Sequence, residues 1–323
     1  MKKAVRYLIK RALASRPVWD VLGPVLRQPG VAILMYHRVG VEGSVFPSHR
    51  VEEFADQMRW LRQHCTPIHP QNLRTAAATA RSRRPPVLVT FDDGYRDYHD
   101  LAYPILKRLD IPAIVFLSTG LIDEGGLLWT DLVHLAILRS PLGQVQLPWP
   151  GGGIHKLGDT AERMTLSAVA RKHLKSLPDM ARRAAVEQLV TVLATDPASL
   201  HVERQMLSWD EVRATLDLTT YGGHGHTHAI LSRVSPTALD EEIGRCQERI
   251  MAELGAPAEL FAYPNGQPQD FDVEVKKTLW KYGFFTVFST IVGINNPNTD
   301  WSEIRRLGPY GTGIDLARIL YTA

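Results

Sequence analysis

The sequence predicts an α/β protein whose strands form a closed or nearly closed barrel. Short apolar runs alternate with segments whose apolar residues recur at helical spacing, through most of the 323 residues. About seven such strand and helix units can be distinguished, and several of the apolar runs end in polar residues. Because barrels of this kind carry their chemistry at the C-terminal ends of the strands, those polar residues are candidates for a functional site.

The predicted elements follow one another in a regular order. The first strand covers Val31–Tyr36 and the second covers Val87–Phe91, and between them lies a helix with Phe54, Met58 and Leu61 on one face. The remaining predicted elements are a helix at 97–109, a strand at Ile111–Leu117, a helix near Trp209, a strand leading to Gly222-Gly223, a helix at 236–254, a strand at Leu260–Tyr263, a helix at Val273–Tyr282, strands at Phe284–Phe288 and Ile304–Leu307, and a short helix near 314–321.

The alternation lapses at about residues 121–205. This segment contains a patch rich in Trp, Pro and Gly (LPWPGGG) and charged helical stretches such as Ala161–Ala194. We interpret it as a helical insertion, a cap or lid, within one catalytic domain that covers residues 31–323.

Residues 1–30 are predicted to form a separate basic, amphipathic segment. In MKKAVRYLIKRALASR the apolar residues fall at helical spacing and are interrupted by Arg6, Lys10 and Arg11, which leaves no continuous apolar run of the signal-peptide kind. A helix of this kind can lie on an anionic membrane surface, and it can equally pack on the domain with a solvated basic face. We therefore expect a cytoplasmic protein, and peripheral contact with the inner membrane face through residues 1–16 is one of two open alternatives.

Composition narrows the class of protein further. Hydrophobic residues make up 45% and charged residues 22% of the chain, as in a globular protein with a large core. The net charge of +3 is small and the basic residues are dispersed, so nucleic acid is not expected as a partner. Cys65 and Cys246 lie far apart in sequence, and two buried thiols are expected.

Two adjacent carboxylates, Asp92 and Asp93, follow the strand that ends at Phe91. Burying two anions together is costly unless a cation or a proton compensates them. A metal ion would allow one Asp to act as a ligand and the other to remain a free base. A polar turn that caps the following helix is the simpler alternative.

Three histidines occur within five residues in His224-Gly225-His226-Thr227-His228. His224 and His228 are four residues apart, the spacing that places two rings on the same side of a helical turn. Together with Asp93 they would form a set of three ligands that leaves a position open for water, as catalytic zinc requires. Zn²⁺ is the expected ion, and Co²⁺, Ni²⁺ and Mn²⁺ are also compatible with these ligands.

Two further strand ends carry polar or aromatic residues. Tyr263-Pro264-Asn265 and the following glycine form an ordinary turn sequence, whose position suggests a groove wall with an aromatic face for a sugar. His37 follows the first strand, and it draws attention because no histidine occurs after residue 228.

In this order, TFDDG at 90–94, a histidine pair four residues apart and Tyr-Pro-x-Gly at 263–266 resemble the polysaccharide deacetylases of the NodB-homology carbohydrate esterase family. The resemblance covers about residues 31–119 and 206–310. It implies a deformed (β/α) barrel and a metal-dependent hydrolase that removes N-acetyl groups from N-acetylhexosamine units of a polysaccharide or a saccharide precursor, releasing acetate. It also implies Asp92 as the base, and Asp93, His224 and His228 as the metal ligands.

The chain departs from the family pattern at three places. Gly225 replaces the usual Ser or Thr, and Ala262 stands where many members have an Arg that orients the base. Many members also take their catalytic acid from a late histidine, which is absent here. Tyr36-His37 is similar to an early Tyr-His in some exopolysaccharide deacetylases, so His37 is the expected acid. Arg306, or its neighbour Arg305, is expected to replace the missing Arg.

Three other functions are compatible with parts of the pattern. A glycosidase would need two carboxylates about 5 to 9 Å apart, and would leave the histidine pair without a purpose. An amidohydrolase would need metal histidines further downstream, and there are none. A catalytically degenerate homologue that only binds carbohydrate would be consistent with Ala262 and the missing late histidine.

Overall fold

The structure is a computed structural model that describes residues 28–41, 48–79, 84–196, 200 and 205–322. The predicted basic segment therefore lies outside the described residues up to position 27, and so does the membrane contact through residues 1–16. None of the helices within the described ranges is both long and apolar enough to span a membrane.

Strands and helices alternate along the chain. The strands are β1 (Ala32–Tyr36), β2 (Arg38–Val39), β3 (Ser48–His49), β4 (Thr66–Pro67), β5 (Pro86–Phe91), β6 (Ala113–Leu117), β7 (Gln144–Gln146), β8 (Ile154–Lys156), β9 (Thr219–Gly223), β10 (Leu260–Ala262), β11 (Thr286–Val292) and β12 (Ile304–Arg306). The α-helices are α1 (Val51–His64), α2 (Leu73–Thr79), α3 (Tyr103–Leu109), α4 (Thr119–Glu124), α5 (Trp129–Arg139), α6 (Thr160–Ser176), α7 (Asp179–Val192), α8 (Trp209–Ala214), α9 (Pro236–Leu254), α10 (Val273–Lys281) and α11 (Gly313–Thr322).

Seven parallel strands form a nearly closed barrel in the order β1-β5-β6-β9-β10-β11-β12, and β4 pairs with the start of β5. The first strand, β1, is hydrogen-bonded to the residue that follows the last strand, β12. The amide of Met35 donates to the carbonyl of Leu307 at 2.9 Å, and the amide of Leu307 donates to the carbonyl of Ile33 at 2.8 Å. The predicted α/β fold, a deformed (β/α) barrel of about seven strands, is therefore confirmed.

Alternate side chains of the strands divide the core into two layers. Ile33, Leu88, Ile114 and Phe288 are fully buried and belong to one cluster, which fills the barrel. The opposite face of the same strands packs with the surrounding helices in a larger cluster. The polar residues that end the strands consequently lie at the mouth of a packed barrel.

Local sequence signals explain several helix boundaries. Helix α9 begins after Ser235, whose hydroxyl accepts the amide of Ala238, and Pro236 stands at its first position. It ends at Gly255, which has φ 75° and closes the helix in the left-handed conformation. The predicted bounds of 236–254 agree with these caps. The segment predicted as a helix at 97–109 instead contains a π-helix at Tyr98–Ala102 followed by α3.

The segment that we interpret as a helical insertion is mostly helical, with some β-structure that was not expected. It consists of α5, α6 and α7 and of an antiparallel hairpin, β7–β8, whose connection contains the LPWPGGG patch. Its own apolar cluster includes Ile137, Leu166 and Leu189 and is separate from the two barrel clusters. The insertion is thus a packed unit, and Asp131 of α5 joins it to Tyr95 beside the barrel mouth.

Candidate metal centre and active site

A tight turn after β5 brings the two adjacent carboxylates to the barrel mouth. The amide of Asp92 donates to the carbonyl of Tyr36 at 3.0 Å, which continues the pairing of β5 with β1. The amide of Gly94 then donates to the carbonyl of Asp92, so Asp93 is the centre of a γ-turn, with φ 75°. A side chain in this region of backbone space is strained by about 1–3 kcal/mol. The turn replaces the strand alternation that would have pointed the two carboxylates in opposite directions.

The second turn carries the histidines and is a loop. The amide of His224 pairs with the carbonyl of Leu117, and the chain then turns through Gly225 at φ 79° and His228 at φ 59°. The expectation that the two rings share the side of a helical turn is therefore wrong. The loop nevertheless brings the ring centroids of His224 and His228 to 4.9 Å from each other.

A buried carboxylate on α9 holds this loop in place. Glu242 accepts the backbone amides of Thr227 at 2.6 Å and of Ala229 at 3.3 Å, and the hydroxyl of Thr227 at 3.0 Å. A Cβ atom at Gly225 would lie 2.8 Å from a carboxylate oxygen of Glu242. A side chain at position 225 would therefore crowd Glu242 and would be strained at this positive φ. This explains why the chain has glycine where the family pattern has Ser or Thr.

Asp93, His224 and His228 form a buried set of metal-ligating groups. One ligand atom from each lies within 4.8 Å of the others, and all three residues are buried. The Nε2 atoms of His224 and His228 lie 3.3 and 3.2 Å from Oδ1 of Asp93. Neither carboxylate oxygen of Asp93 has a hydrogen-bond partner with suitable geometry among the described residues. A buried carboxylate without hydrogen bonds is costly, and a cation bound between these groups would satisfy it.

The histidines are set up for ligation to different degrees. Nδ1 of His224 lies 2.7 Å from the carbonyl oxygen of Ala262, so it carries the proton and leaves the lone pair of Nε2 facing Asp93. Burial lowers the pKa of His228, which favours the neutral imidazole that binds metals. Burial also opposes the charge of His224, but Asp93 and Asp92 beside it raise its pKa on balance. This raised pKa belongs to the metal-free state, in which a proton compensates the carboxylates.

Asp92 is held by a buried guanidinium from the last strand. Nη1 and Nη2 of Arg306 donate to the two oxygens of Asp92 at 2.6 and 2.8 Å, in a bidentate contact. Nε of Arg306 donates to the carbonyl of Ser289, and the side chain is fully buried over Phe116. Burial raises the pKa of Asp92, but the charges of Arg306 and His224 offset that effect and keep the pKa below its ordinary value. Arg305, the alternative considered from the sequence, is exposed.

His37 also lies close to Asp92. Its Nε2 is 3.9 Å from Oδ2 of Asp92, and the side chain is 15% exposed. The next residue, Arg38, is anchored by a 2.8 Å bond to Asp97, and Asp97 also accepts the amide of Val39. Burial lowers the pKa of His37, and the carboxylates of the site oppose this effect.

The turn at 263–266 does not offer an aromatic face to a sugar. Tyr263 is 1% exposed, its hydroxyl donates to the carbonyl of Ser302, and its ring stacks on Phe271 with centroids 4.1 Å apart. The expectation of a sugar-binding face at Tyr263 is therefore wrong. Pro264 is buried next to it, and Asn265 is half-buried with φ 63°, its side-chain amide nitrogen without a partner among the described atoms.

Sequence reasoning did not identify two contacts that fix the site. Glu242 is one of several acidic residues on an amphipathic helix, and their spacing does not indicate which of them contacts a loop. Tyr95 follows the TFDDG motif directly, and its hydroxyl donates to Asp131 of the insertion at 2.6 Å. The aromatic residue next to the motif was a possible signal, but its partner from α5 could not be read from the sequence.

Comparison with known proteins agrees with this architecture. A sequence model of the polysaccharide deacetylase family matches residues 79–287. A Bacillus subtilis protein named polysaccharide deacetylase YxkH is 35% identical over 89 residues. That match covers 26% of this chain, and the chain spans only 30% of the length of that relative.

Solved structures share the fold at low sequence identity. The chain is similar to IcaB from Ammonifex degensii, with 20% identity, a TM-score of 0.56, and coverage of 91% of this chain and 98% of that one. It is also similar to the deacetylase PplD from Streptococcus pyogenes, solved with acetate, with 15% identity, a TM-score of 0.60, and coverage of 91% and 99%. The family match extends over more than half of the sequence, and the chain belongs to the polysaccharide deacetylase family.

Proposed function

We propose that this protein is a metal-dependent deacetylase that removes N-acetyl groups from N-acetylhexosamine units of a polysaccharide or a saccharide precursor and releases acetate. The observation that carries the proposal is the juxtaposition of two buried groups. Asp93, His224 and His228 converge, and neither carboxylate oxygen of Asp93 has a hydrogen-bond partner in the described part of the chain. The adjacent carboxylate of Asp92 is fixed in a separate bidentate contact with Arg306.

The charges of the site favour a divalent cation. Asp92, Asp93 and Arg306 leave one net negative charge in a buried volume when the histidines are neutral, and burial makes that charge costly. Zn²⁺ suits two imidazoles and one carboxylate, and Co²⁺, Ni²⁺ or Mn²⁺ would find the same ligands acceptable. When bound, such an ion would supply Lewis acidity for the amide carbonyl and lower the pKa of water.

Asp92 is proposed as the base. Arg306 occupies both carboxylate oxygens from one side, which fixes the plane of the carboxylate and keeps it ionised. An ionised, oriented carboxylate can accept a proton from a water molecule that adds to the acetamide carbonyl. The guanidinium of Arg306 would thereby take the positioning role that an Arg at the position of Ala262 has in many family members.

His37 is proposed as the acid. Its Nε2 lies 3.9 Å from Oδ2 of Asp92, and its side chain is 15% exposed. A protonated His37 would donate its proton to the amine nitrogen as the carbon–nitrogen bond breaks, so that the products are acetate and a free amino sugar. We expect His37→Ala to lower the rate of acetate release about 10²- to 10⁴-fold while metal content stays unchanged. Near-normal turnover would show that the acid is another group.

The non-catalytic alternative loses part of its motivation here. It was suggested by Ala262 and by the missing late histidine. A guanidinium does contact Asp92, although it comes from Arg306. Residue 262 contacts His224 through its backbone carbonyl, so this contact does not depend on the side chain at that position. Turnover separates the two functions, because a carbohydrate-binding homologue could retain the metal.

The first experiment measures metal content and acetate release together. The substrates are N-acetylglucosamine oligomers and lipid-linked saccharides, with and without added Zn²⁺. We expect metal-dependent release that Asp92→Asn abolishes, and loss of metal binding in Asp93→Ala. His226→Gln is the matched control, because His226 contacts Thr119 and lies outside the ligand set. Bound metal without release from any substrate would favour the binding function.

We also propose that the acceptor is presented at the inner membrane face, in keeping with the basic segment at residues 1–16. Flotation of the full chain with liposomes that contain anionic lipid tests this part. A protein that remains at the bottom of the gradient would exclude the membrane contact without affecting the proposed chemistry.

A further inference from the structure

Three polar side chains lie along one side of helix α6 of the insertion. Ser167, Arg171 and Lys175 follow one another at intervals of four residues, which places them on the same face of the helix. Ser167 is fully buried at one end, where its hydroxyl lies 2.8 Å from Nδ1 of His134 on α5. The face that carries Arg171 and Lys175 is therefore directed inward, while Lys172 on the same helix is exposed.

Contacts at the end of α6 place this row next to the candidate metal centre. Nη1 of Arg233 donates to the carbonyl of Ser176, the residue after Lys175, at 2.9 Å. On α7, Nη2 of Arg183 donates to the hydroxyl of Thr227, the residue before His228, at 3.2 Å. Helix α7 thus contacts the histidine loop, and the end of α6 contacts the segment that follows this loop. The charge of Lys175 lowers the pKa of His228, and the charge of Asp93 raises the pKa of Lys175.

Lys175 differs from the structural cations of the insertion. Arg163 donates to several backbone carbonyls, and Arg182 pairs with Asp179. Lys175 is half-buried and forms neither a hydrogen bond nor an ion pair within the described ranges. Burial lowers its pKa, and Asp270 and Asp93 offset this effect only in part. A half-buried ammonium without a paired anion is an unfavourable arrangement unless a ligand completes it.

We infer that Lys175 binds an anionic group, a phosphate or a carboxylate, that the acceptor saccharide carries close to its N-acetyl group, with Arg171 contributing positive charge behind it. The inference rests on the proposed function, because it places the acceptor at the mouth of the barrel. It narrows the substrate class from N-acetylhexosamines in general to those in an anionic saccharide, such as a sugar phosphate or a residue next to a uronic acid.

The charge of the complete site supports this choice. A divalent cation would turn the net charge of Asp92, Asp93 and Arg306 from −1 to +1, and Lys175 would add another positive charge at the rim. An uncharged acceptor that covers the site would remove water from Lys175 and give it no partner. An acceptor with a phosphate or a carboxylate would supply a charge-assisted hydrogen bond instead.

The test is a comparison of binding affinities in the zinc-loaded protein by titration calorimetry. The ligands are methyl N-acetylglucosaminide, N-acetylglucosamine 1-phosphate, N-acetylglucosamine 6-phosphate, and a disaccharide of N-acetylglucosamine and glucuronate. Wild type should bind one of the anionic ligands about tenfold more tightly than the neutral one. Lys175→Gln should abolish this preference, and Lys172→Gln, the matched control, should retain it. Which ligand is preferred separates a phosphate from a carboxylate.

The outcomes distinguish this inference from the proposed function. Equal affinities for neutral and anionic ligands in wild type, or a preference that survives in Lys175→Gln, would overturn the role of Lys175. Acetate release under the conditions given above, without any anionic preference, would leave the deacetylase intact and refute only the inference. A preference that depends on Lys175, without acetate release, would retain the anion site and refute the deacetylase.

Discussion

Asp131 joins the helical insertion to the loop of the candidate metal centre. Its Oδ2 accepts a 2.6 Å hydrogen bond from the hydroxyl of Tyr95, two residues after Asp93. The residue is 5% exposed, and burial raises its pKa from 3.8 to about 6, although Tyr95 and the charge of Arg38 act in the opposite direction. The folded protein therefore holds this proton more tightly than the unfolded chain does.

Asp131 should make its own contribution to the pH dependence of stability, which a substitution at this position isolates. Between about pH 4 and pH 6 the folded state binds more protons than the unfolded state, so the free energy of unfolding falls as the pH rises and stays lower above that range. The separation of the two pKa values corresponds to about 3 kcal/mol. Asp131→Asn cannot ionise, and its amide oxygen can still accept the hydroxyl of Tyr95. We expect the variant to be more stable than wild type by as much as about 3 kcal/mol at about pH 8, and by close to nothing at about pH 4.

Urea unfolding of both proteins at a series of pH values measures this difference. The slope of the free energy with urea concentration should be the same in both, which would show that the exposed surface is unchanged. Asp110→Asn is the matched control, because Asp110 is exposed and left-handed at φ 52°, a conformation that asparagine adopts readily. A difference that is constant across the pH series, or a wild type that is the more stable protein at about pH 8, would refute the reasoning.

Two further substitutions test the contacts of the site. Arg306→Met should lower the free energy of unfolding by about 3–5 kcal/mol, because it leaves the buried carboxylate of Asp92 unpaired, and adding Asp92→Asn should recover part of that loss in a double-mutant cycle. Additive losses would mean that the two side chains are not coupled. Glu242→Ala should weaken zinc binding about 10- to 100-fold, because the loop before His228 loses its hydrogen-bond acceptor, whereas the exposed Glu241→Ala should leave the affinity unchanged. If Glu242→Ala and Glu241→Ala bind zinc with equal affinity, the loop holds its shape without Glu242.

The sequence was sufficient to predict the architecture and the convergence of Asp93, His224 and His228. Strands are recognised as short apolar runs and helices by their period of 3.6 residues, and each end of α9 has a local cap that fixes its boundary within a residue. The motif residues follow apolar runs, and parallel strands in a barrel align their C-terminal ends. Asp93, His224 and His228 could therefore be expected to meet even without knowledge of the turns between them.

The orientation of individual side chains was harder to predict. The histidine loop was expected to be helical because spacing alone does not reveal that Gly225 and His228 have positive φ. Tyr263 was expected on a groove wall. Its side chain is instead buried, because its ring stacks on Phe271 and its hydroxyl donates to the carbonyl of Ser302. Whether Arg305 or Arg306 faces inward depends on the register between β11 and β12, which shifts between Phe288 and Val292. None of these features is encoded in a window of neighbouring residues.

Closure of the barrel accounts for the two departures that the sequence left open. Strand β1 pairs with β5 on one side, and on the other side it is bridged to Leu307, directly after β12. Asp92, at the end of β5, is consequently bordered by residues from both ends of the chain. His37 follows β1 and Arg306 ends β12, so an early histidine and a late arginine reach the same carboxylate. A histidine and an arginine from other strands can therefore reach Asp92, because closure of the barrel brings the ends of β1 and β12 together, and this proximity supports the roles proposed for His37 and Arg306.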